Sequence, residues 1–209
     1  MRTLAFVLAL TAAPAAFAQT NHVNNNQLNN TSISAHNTTT VFDLRGELGA
    51  ASIAGGNSVA LDVAGNVAFN NTQRFFGNAT AVTTVDVGGL GGEGLVLATA
   101  FSNNAELNAA SACCISVNSV QIANIDPTAV TNVTINSAAS AVSVSSSAFS
   151  NGLSVNGSGW ANMGVNNMQL NGAATHSVAN VAINGINGSL TTRASAVGNS
   201  LTVNNILRD

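Results

Sequence analysis

The sequence contains very little charge. Only 6% of its 209 residues are charged, and lysine and tyrosine are absent, whereas soluble domains carry about 25% charged residues. Besides Arg2 there are four arginines against eight aspartates and glutamates, so the chain after its leader carries a net charge near −4. A nucleic-acid or anionic-membrane partner requires a basic surface. We therefore expect no nucleic-acid partner.

Cysteine is almost as scarce. The two cysteines, Cys113 and Cys114, are adjacent and lack the C-x-x-C spacing of a redox or zinc site. In an exported protein such a pair predicts either a vicinal disulfide or bridges between molecules. We interpret it as a small structural feature of one loop, and we expect no metal and no cofactor.

The N-terminal segment, residues 1–18, has the features of a signal peptide. Arg2 supplies the positive region, "LAFVLAL" the apolar region and "AFA" the small-residue cleavage site. The apolar run is too short to span a bilayer. We therefore predict export, with residues 19–209 as one mature domain.

Asparagine is abundant, at about thirty residues, and it belongs to a tandem repeat. A V/F-N-x-x-Q motif recurs in "VNNNQ", "FNNTQ", "VNSVQ" and "VNNMQ". Its glutamines are Gln27, Gln73, Gln121 and Gln169, and the first interval between them is two positions shorter than the other two, which are equal. A nearly fixed period of this size indicates a repeat architecture.

A second motif has the same spacing. Asn57, Asn103, Asn151 and Asn199 each follow the glutamine of their unit at one constant interval. Because both motifs share the two-residue deletion in the first interval, the chain divides into four units of about 48 residues. Their approximate bounds are 19–64, 65–110, 111–158 and 159–206.

Within each unit, small polar and apolar residues alternate, as in "TNVTIN" and "VSVSSSAF". A period of two predicts β-strands, and no amphipathic helix is evident. We therefore predict an all-β fold, a β-solenoid in which equivalent residues stack about 4.8 Å apart. For the coil length we favour two coils of about 24 residues per unit over three of about 16.

Stacking explains the amide content. A lone buried amide costs free energy, but an amide stacked on its own copy can bond to it, as in Asn and Gln ladders. The ladder candidates are the four glutamines, the four asparagines of the second motif, and Asn70, Asn118 and Asn166 of the first.

No pattern indicates catalysis. The G-x-G-x-x-G of residues 89–94 is followed by "LVLATAF" rather than by a helix, which favours a glycine-rich turn over a dinucleotide loop. The three histidines, His22, His36 and His176, do not occupy equivalent positions of the repeat units. The carboxylates also form no pairs at equivalent positions. We expect no enzyme, and a secreted β-helix enzyme is the remote alternative.

The repeats resemble those of the holdfast-anchoring surface proteins of stalked alphaproteobacteria. The resemblance lies in glutamine-anchored units with an A-x-A-x-G-N-like element ("ASAVGNS", "ATAFSNN") and in the CC pair between units. It implies an exported protein of the cell surface, at the outer membrane or beyond, that anchors an adhesive polysaccharide to the envelope. A curlin-type amyloid fibre subunit, which is also rich in Gln and Asn, is the alternative.

The expected partners follow from both interpretations. The ends of a solenoid expose unpaired strand edges, which favours self-association. Outer-membrane secretion or anchoring proteins, and an extracellular polysaccharide, are the other partners that we expect.

Overall fold

The computed structural model describes residues 20–110, 113–159, 162–172 and 174–206. The predicted signal peptide lies outside these residues. The described chain forms twelve β-strands and no helix, so no helix in it could span a membrane. The strands are β1 (Asn21–Asn29), β2 (Ile33–Leu44), β3 (Leu48–Ala64), β4 (Val67–Phe75), β5 (Ala79–Leu90), β6 (Gly94–Ala110), β7 (Cys114–Ala123), β8 (Thr128–Ala138), β9 (Val142–Ser158), β10 (Asn162–Asn171), β11 (His176–Ile183) and β12 (Leu190–Ile206).

The strands form three parallel sheets of four strands each. Sheet A has the order β1-β4-β7-β10, sheet B has β11-β8-β5-β2, and sheet C has β12-β9-β6-β3. Each repeat unit gives one strand to each sheet, so the chain winds as a solenoid. The prediction of an all-β, solenoid-like fold is confirmed.

One repeat unit makes one coil. Gln27 pairs with Gln73, and Gln121 pairs with both Gln73 and Gln169, so each strand pairs with its equivalent in the next unit. Our preference for two coils per unit was wrong, since that arrangement would pair residues half a unit apart in sequence. The reason is strand length: strands of 9, 12 and 17 residues in the first unit fill one large coil. We number the coils 1 to 4 in chain order.

The coil is flattened, because the long sheet C faces both shorter sheets. The first half of sheet C packs on sheet B, where Val96 and Val144 meet Val85 and Ile135. The second half packs on sheet A around the buried Phe69. A third cluster, mostly alanines around the fully buried Phe75, fills the centre of the coil.

In the strands of coils 2 and 3, buried residues alternate with more exposed ones, because the outer face of each sheet meets solvent. In β9 the alternation changes phase at Ser150 and Asn151, which are both buried. The strand therefore bends there, and equivalent positions of sheet C lie opposite each other on both sides of the bend. At the turn from sheet C to sheet A, Gly65 and Gly159 have φ values of 93° and 106°, which glycine adopts without strain.

Candidate functional site

The four repeat glutamines form a continuous column of hydrogen bonds inside the coil. The side-chain Nε2 of Gln73 donates to Oε1 of Gln27 at 2.9 Å, and Gln121 donates to Gln73 and Gln169 to Gln121 at 2.8 Å each. Gln73 and Gln121 are fully buried. Every donor in this column points towards coil 1.

The asparagines of the second motif form another column of hydrogen bonds, in which the donors point the opposite way. Nδ2 of Asn57 donates to Oδ1 of Asn103, Asn103 donates to Asn151 and Asn151 to Asn199, each at 2.8 Å. Asn103 and Asn151 are fully buried at the bend of sheet C. Donors in this column point towards coil 4.

The second hydrogen of each amide joins sheet A to sheet C. Nε2 of Gln121 donates to the carbonyl of Gly152 at 2.9 Å, and the other repeat glutamines make the equivalent bond. In return, Nδ2 of Asn103 donates to the carbonyl of Ile122 at 2.9 Å, in the next coil. The two columns therefore hold facing sheets together as well as successive coils.

The third set of ladder candidates lies on the outer face of sheet A. Nδ2 of Asn70 donates to Oδ1 of Asn24 at 2.9 Å, and Asn166 donates to Asn118 at 3.2 Å. These side chains are exposed. They contact solvent as well as their neighbours.

The structure adds amide contacts that the sequence motifs did not identify. Nδ2 of Asn180 donates to Asn132 at 2.9 Å, and Asn184 donates to Asn136 at 3.1 Å. Each contact joins only two coils, so asparagine does not recur at these positions in all four units. A comparison of "TNVTIN" with "ANVAIN", one repeat unit later, identifies both pairs in the sequence.

Cys113 and Cys114 lie at the start of β7 as exposed thiols, with their Sγ atoms 2.8 Å apart. The buried Asn66 accepts from both of their backbone N–H groups, at 3.0 and 3.2 Å. The hydrogen bond with Cys113, with smaller contributions from desolvation and from the Cys113 charge, raises the pKa of the Cys114 thiol. A raised pKa favours the neutral thiol over the reactive thiolate.

The glycine-rich segment is a turn between β5 and β6. Its backbone N–H groups already bond to neighbouring coils: Gly91 to the carbonyl of Leu44 at 2.7 Å, and Gly94 to that of Ala141 at 2.9 Å. A phosphate loop needs such groups free. This segment therefore contributes to coil stacking.

The ionisable side chains remain scattered. Within the part of the chain that the structure describes, no group of three histidines, cysteines or carboxylates could hold a metal ion. His176 lies 3.6 Å from Asp126, with both side chains about half exposed. One such pair at the surface contributes little to stability.

Comparison with known proteins identifies one family. Residues 43–206 match the family model described as holdfast attachment protein D. The match extends from β2 to the end of β12, and so covers both internal columns except Gln27. Neither the curated proteins nor the solved structures that were searched contain a match to this chain.

Proposed function

Because the chain belongs to the holdfast attachment protein D family, we propose that it anchors an adhesive polysaccharide to the cell envelope as a stiff, stacked β-rod. The family match is the observation that carries this proposal. It supports an attachment protein of the cell surface rather than an enzyme. The finer mechanism, in which the rod carries load, is our inference from the hydrogen bonding.

Export to the surface is part of the proposal. The charged, apolar and small-residue segments within residues 1–18 are those of a signal peptide. Beyond the inner membrane, outer-membrane secretion or anchoring proteins would carry the chain outward or hold it.

The rod acts mechanically. Adjacent coils are joined by three parallel strand pairs and by the two internal amide columns. A pull on one coil must break many of these bonds together, so the load is shared. The outer face offers rows of hydroxyl and amide groups that can bond to a polysaccharide at many points, and such contacts gain strength by multivalency.

Self-association is the second part of the proposal, and the polarity of the two columns supports it. At the coil 1 end, within the described residues, Gln27 has an amide hydrogen without a partner and Asn57 has a free Oδ1. At the coil 4 end, Gln169 has an Oε1 that no described residue bonds, and Asn199 uses one amide hydrogen. Donor therefore meets acceptor in both columns when coil 4 of one copy stacks on coil 1 of the next.

Apolar side chains at the coil 4 end favour the same contact. Leu201 is 49% exposed and Val203 is 44% exposed, although their equivalents in coil 3, Leu153 and Val155, are buried. Stacking would remove this apolar surface from water. The curli-like fibre alternative shares this end-to-end assembly, but it lacks support from a family match.

The proposal is tested by removing the gene from its host. Cells without the protein should still make the adhesive polysaccharide but release it into the medium, and the complete gene should restore attachment. A copy without residues 2–18 should not restore it, since the protein would stay inside the cell. The proposal is wrong if cells without the protein retain their adhesive.

A further inference from the structure

The bend of sheet C forms a crease on the outer face of the rod. In β9, Phe149 points outward before the bend and Ser154 points outward after it. A cavity of about 250 Å³ lies in this crease across coils 2 to 4. Its lining includes Asn104, Phe149, Ser154, Val197, Ser200 and Thr202.

An aromatic stack forms one wall. The rings of Phe101 and Phe149 lie 5.3 Å apart and are inclined by only 9°. The Phe101 ring covers the backbone of Gly55 in coil 1, where a Cβ would lie 2.1 Å from its Cζ. Phe101 thus supports Phe149 from one side, and Phe149 borders the cavity together with Val197 of coil 4.

Polar groups with unused hydrogen-bonding capacity complete the lining. Among the described residues the Asn104 side chain has no hydrogen-bond partner, whereas Asn108 on the same strand donates to Asp62 and accepts from Asn156. The column containing Asn104 has Gly152 in coil 3, where an added Cβ would lie 3.1 Å from Oδ1 of Asn104. Glycine at this position leaves room for the Asn104 side chain and offers it no amide partner in coil 3.

We propose that this crease binds a sugar ring of a neutral polysaccharide. The apolar face of a pyranose would pack on Phe149 and Val197, and its hydroxyl groups would bond to Asn104, Ser200 and the neighbouring hydroxyls. None of the residues that line the cavity is ionisable, so an acidic glycan has no counter-charge there. The inference rests on the proposed attachment function and gives it a specific site.

The test uses the purified protein with cellohexaose and maltohexaose, two neutral hexasaccharides of different linkage, and with acidic hexagalacturonate. Binding is followed by amide chemical shifts in NMR. Shifts from at least one neutral probe should cluster at residues 147–154 and 197–202. Phe149→Ala should weaken that binding about five- to tenfold, because the stacking surface is lost.

Two further variants control the experiment. Asn104→Leu keeps the side-chain volume but removes the amide, and it should also weaken binding severalfold without changing the thermal midpoint. Phe42→Ala removes an aromatic ring that is 92% exposed on β2, away from the crease, and should leave binding unchanged. The inference is overturned if neither neutral probe shifts crease resonances, if both crease variants bind like the wild type, or if hexagalacturonate alone binds.

The same variants in cells separate this inference from the proposed function. If the crease is the site, cells with Phe149→Ala or Asn104→Leu release their adhesive although the protein reaches the surface. If these cells hold their adhesive while cells without the protein release it, attachment stands and the crease is not its site.

Discussion

At the level of single side chains, the core accommodates fully buried glutamines because every amide group finds a partner. Gln121 donates to Gln73 and to the carbonyl of Gly152, and accepts from Gln169. An unpaired buried amide costs free energy, so each member depends on its neighbours. Hydrogen bonding to the glutamines above and below, rather than the burial of a single position, therefore favours glutamine at each of these positions.

We expect Gln121→Ala to lower the free energy of unfolding by about 2–5 kcal/mol, because it leaves three polar partners unsatisfied, two of them buried and the third, Gln169, half-buried. Asn118→Ala, on the exposed face of the same strand, should change it by less than about 1 kcal/mol. Urea unfolding followed by circular dichroism measures both. Equal effects of the two substitutions would contradict a structural role for the internal column.

The cysteine pair gives a redox prediction. We expect the protein, once exported as proposed, to contain a bond between Cys113 and Cys114, formed when a periplasmic thiol oxidase accepts the two electrons and two protons. Mass spectrometry of unreduced peptides should show the loss of two hydrogens within a single peptide. A peptide cross-linked between two chains would favour the intermolecular alternative, and two free thiols would contradict both.

At the level of the strands, the bend of sheet C depends on small residues. Gly56 lies at this bend in coil 1, where an added Cβ would lie 2.3 Å from the carbonyl oxygen of Ser102 and 2.6 Å from Cδ2 of Phe75. Gly198 occupies the equivalent position in coil 4, and its nearest neighbour would be Nδ2 of Asn171 at 3.2 Å. The same position is thus tight in coil 1 and more open in coil 4.

Gly56→Ala should therefore destabilise the protein by about 1–3 kcal/mol through overpacking. Gly198→Ala should have a smaller effect, because the flexible Asn171 side chain can move away from the added methyl group. Thermal unfolding of the two variants compares them directly. If Gly198→Ala proves the more harmful substitution, the described packing at the bend is incorrect.

Periodicity predicted the strands but not the length of the coil. Alternation in "VSVSSSAF" and "TNVTIN" shows where strands lie, but it does not identify the coil with which each strand pairs. The crease was missed for a related reason: its column contains Gly55, Phe101, Phe149 and Val197, of which only two are the same residue type. Columns of identical amides were visible in the sequence because stacking favours like on like.

For the protein as a whole, the proposed end-to-end stacking gives a prediction at coil 4. Leu201→Lys places a charge on the inner side of the exposed terminal strand β12, a device that blocks edge pairing. It should abolish concentration-dependent oligomers in sedimentation velocity. Thr202→Lys adds the same charge to the neighbouring residue, which lines the outer crease, and should leave the oligomers intact. A wild-type protein that stays monomeric at all concentrations would contradict end-to-end stacking.

Each repeat unit forms one coil, and thiol cross-linking between paired strands can check this arrangement. In a protein with Cys113 and Cys114 replaced by serine, Glu106→Cys and Ser154→Cys occupy paired positions on adjacent strands, about 4.8 Å apart. Dibromobimane should bridge this pair and become fluorescent. Glu106→Cys with Val130→Cys, which lie half a repeat unit apart in sequence, should not be bridged. Bridging of the second pair without the first would contradict the one-coil unit.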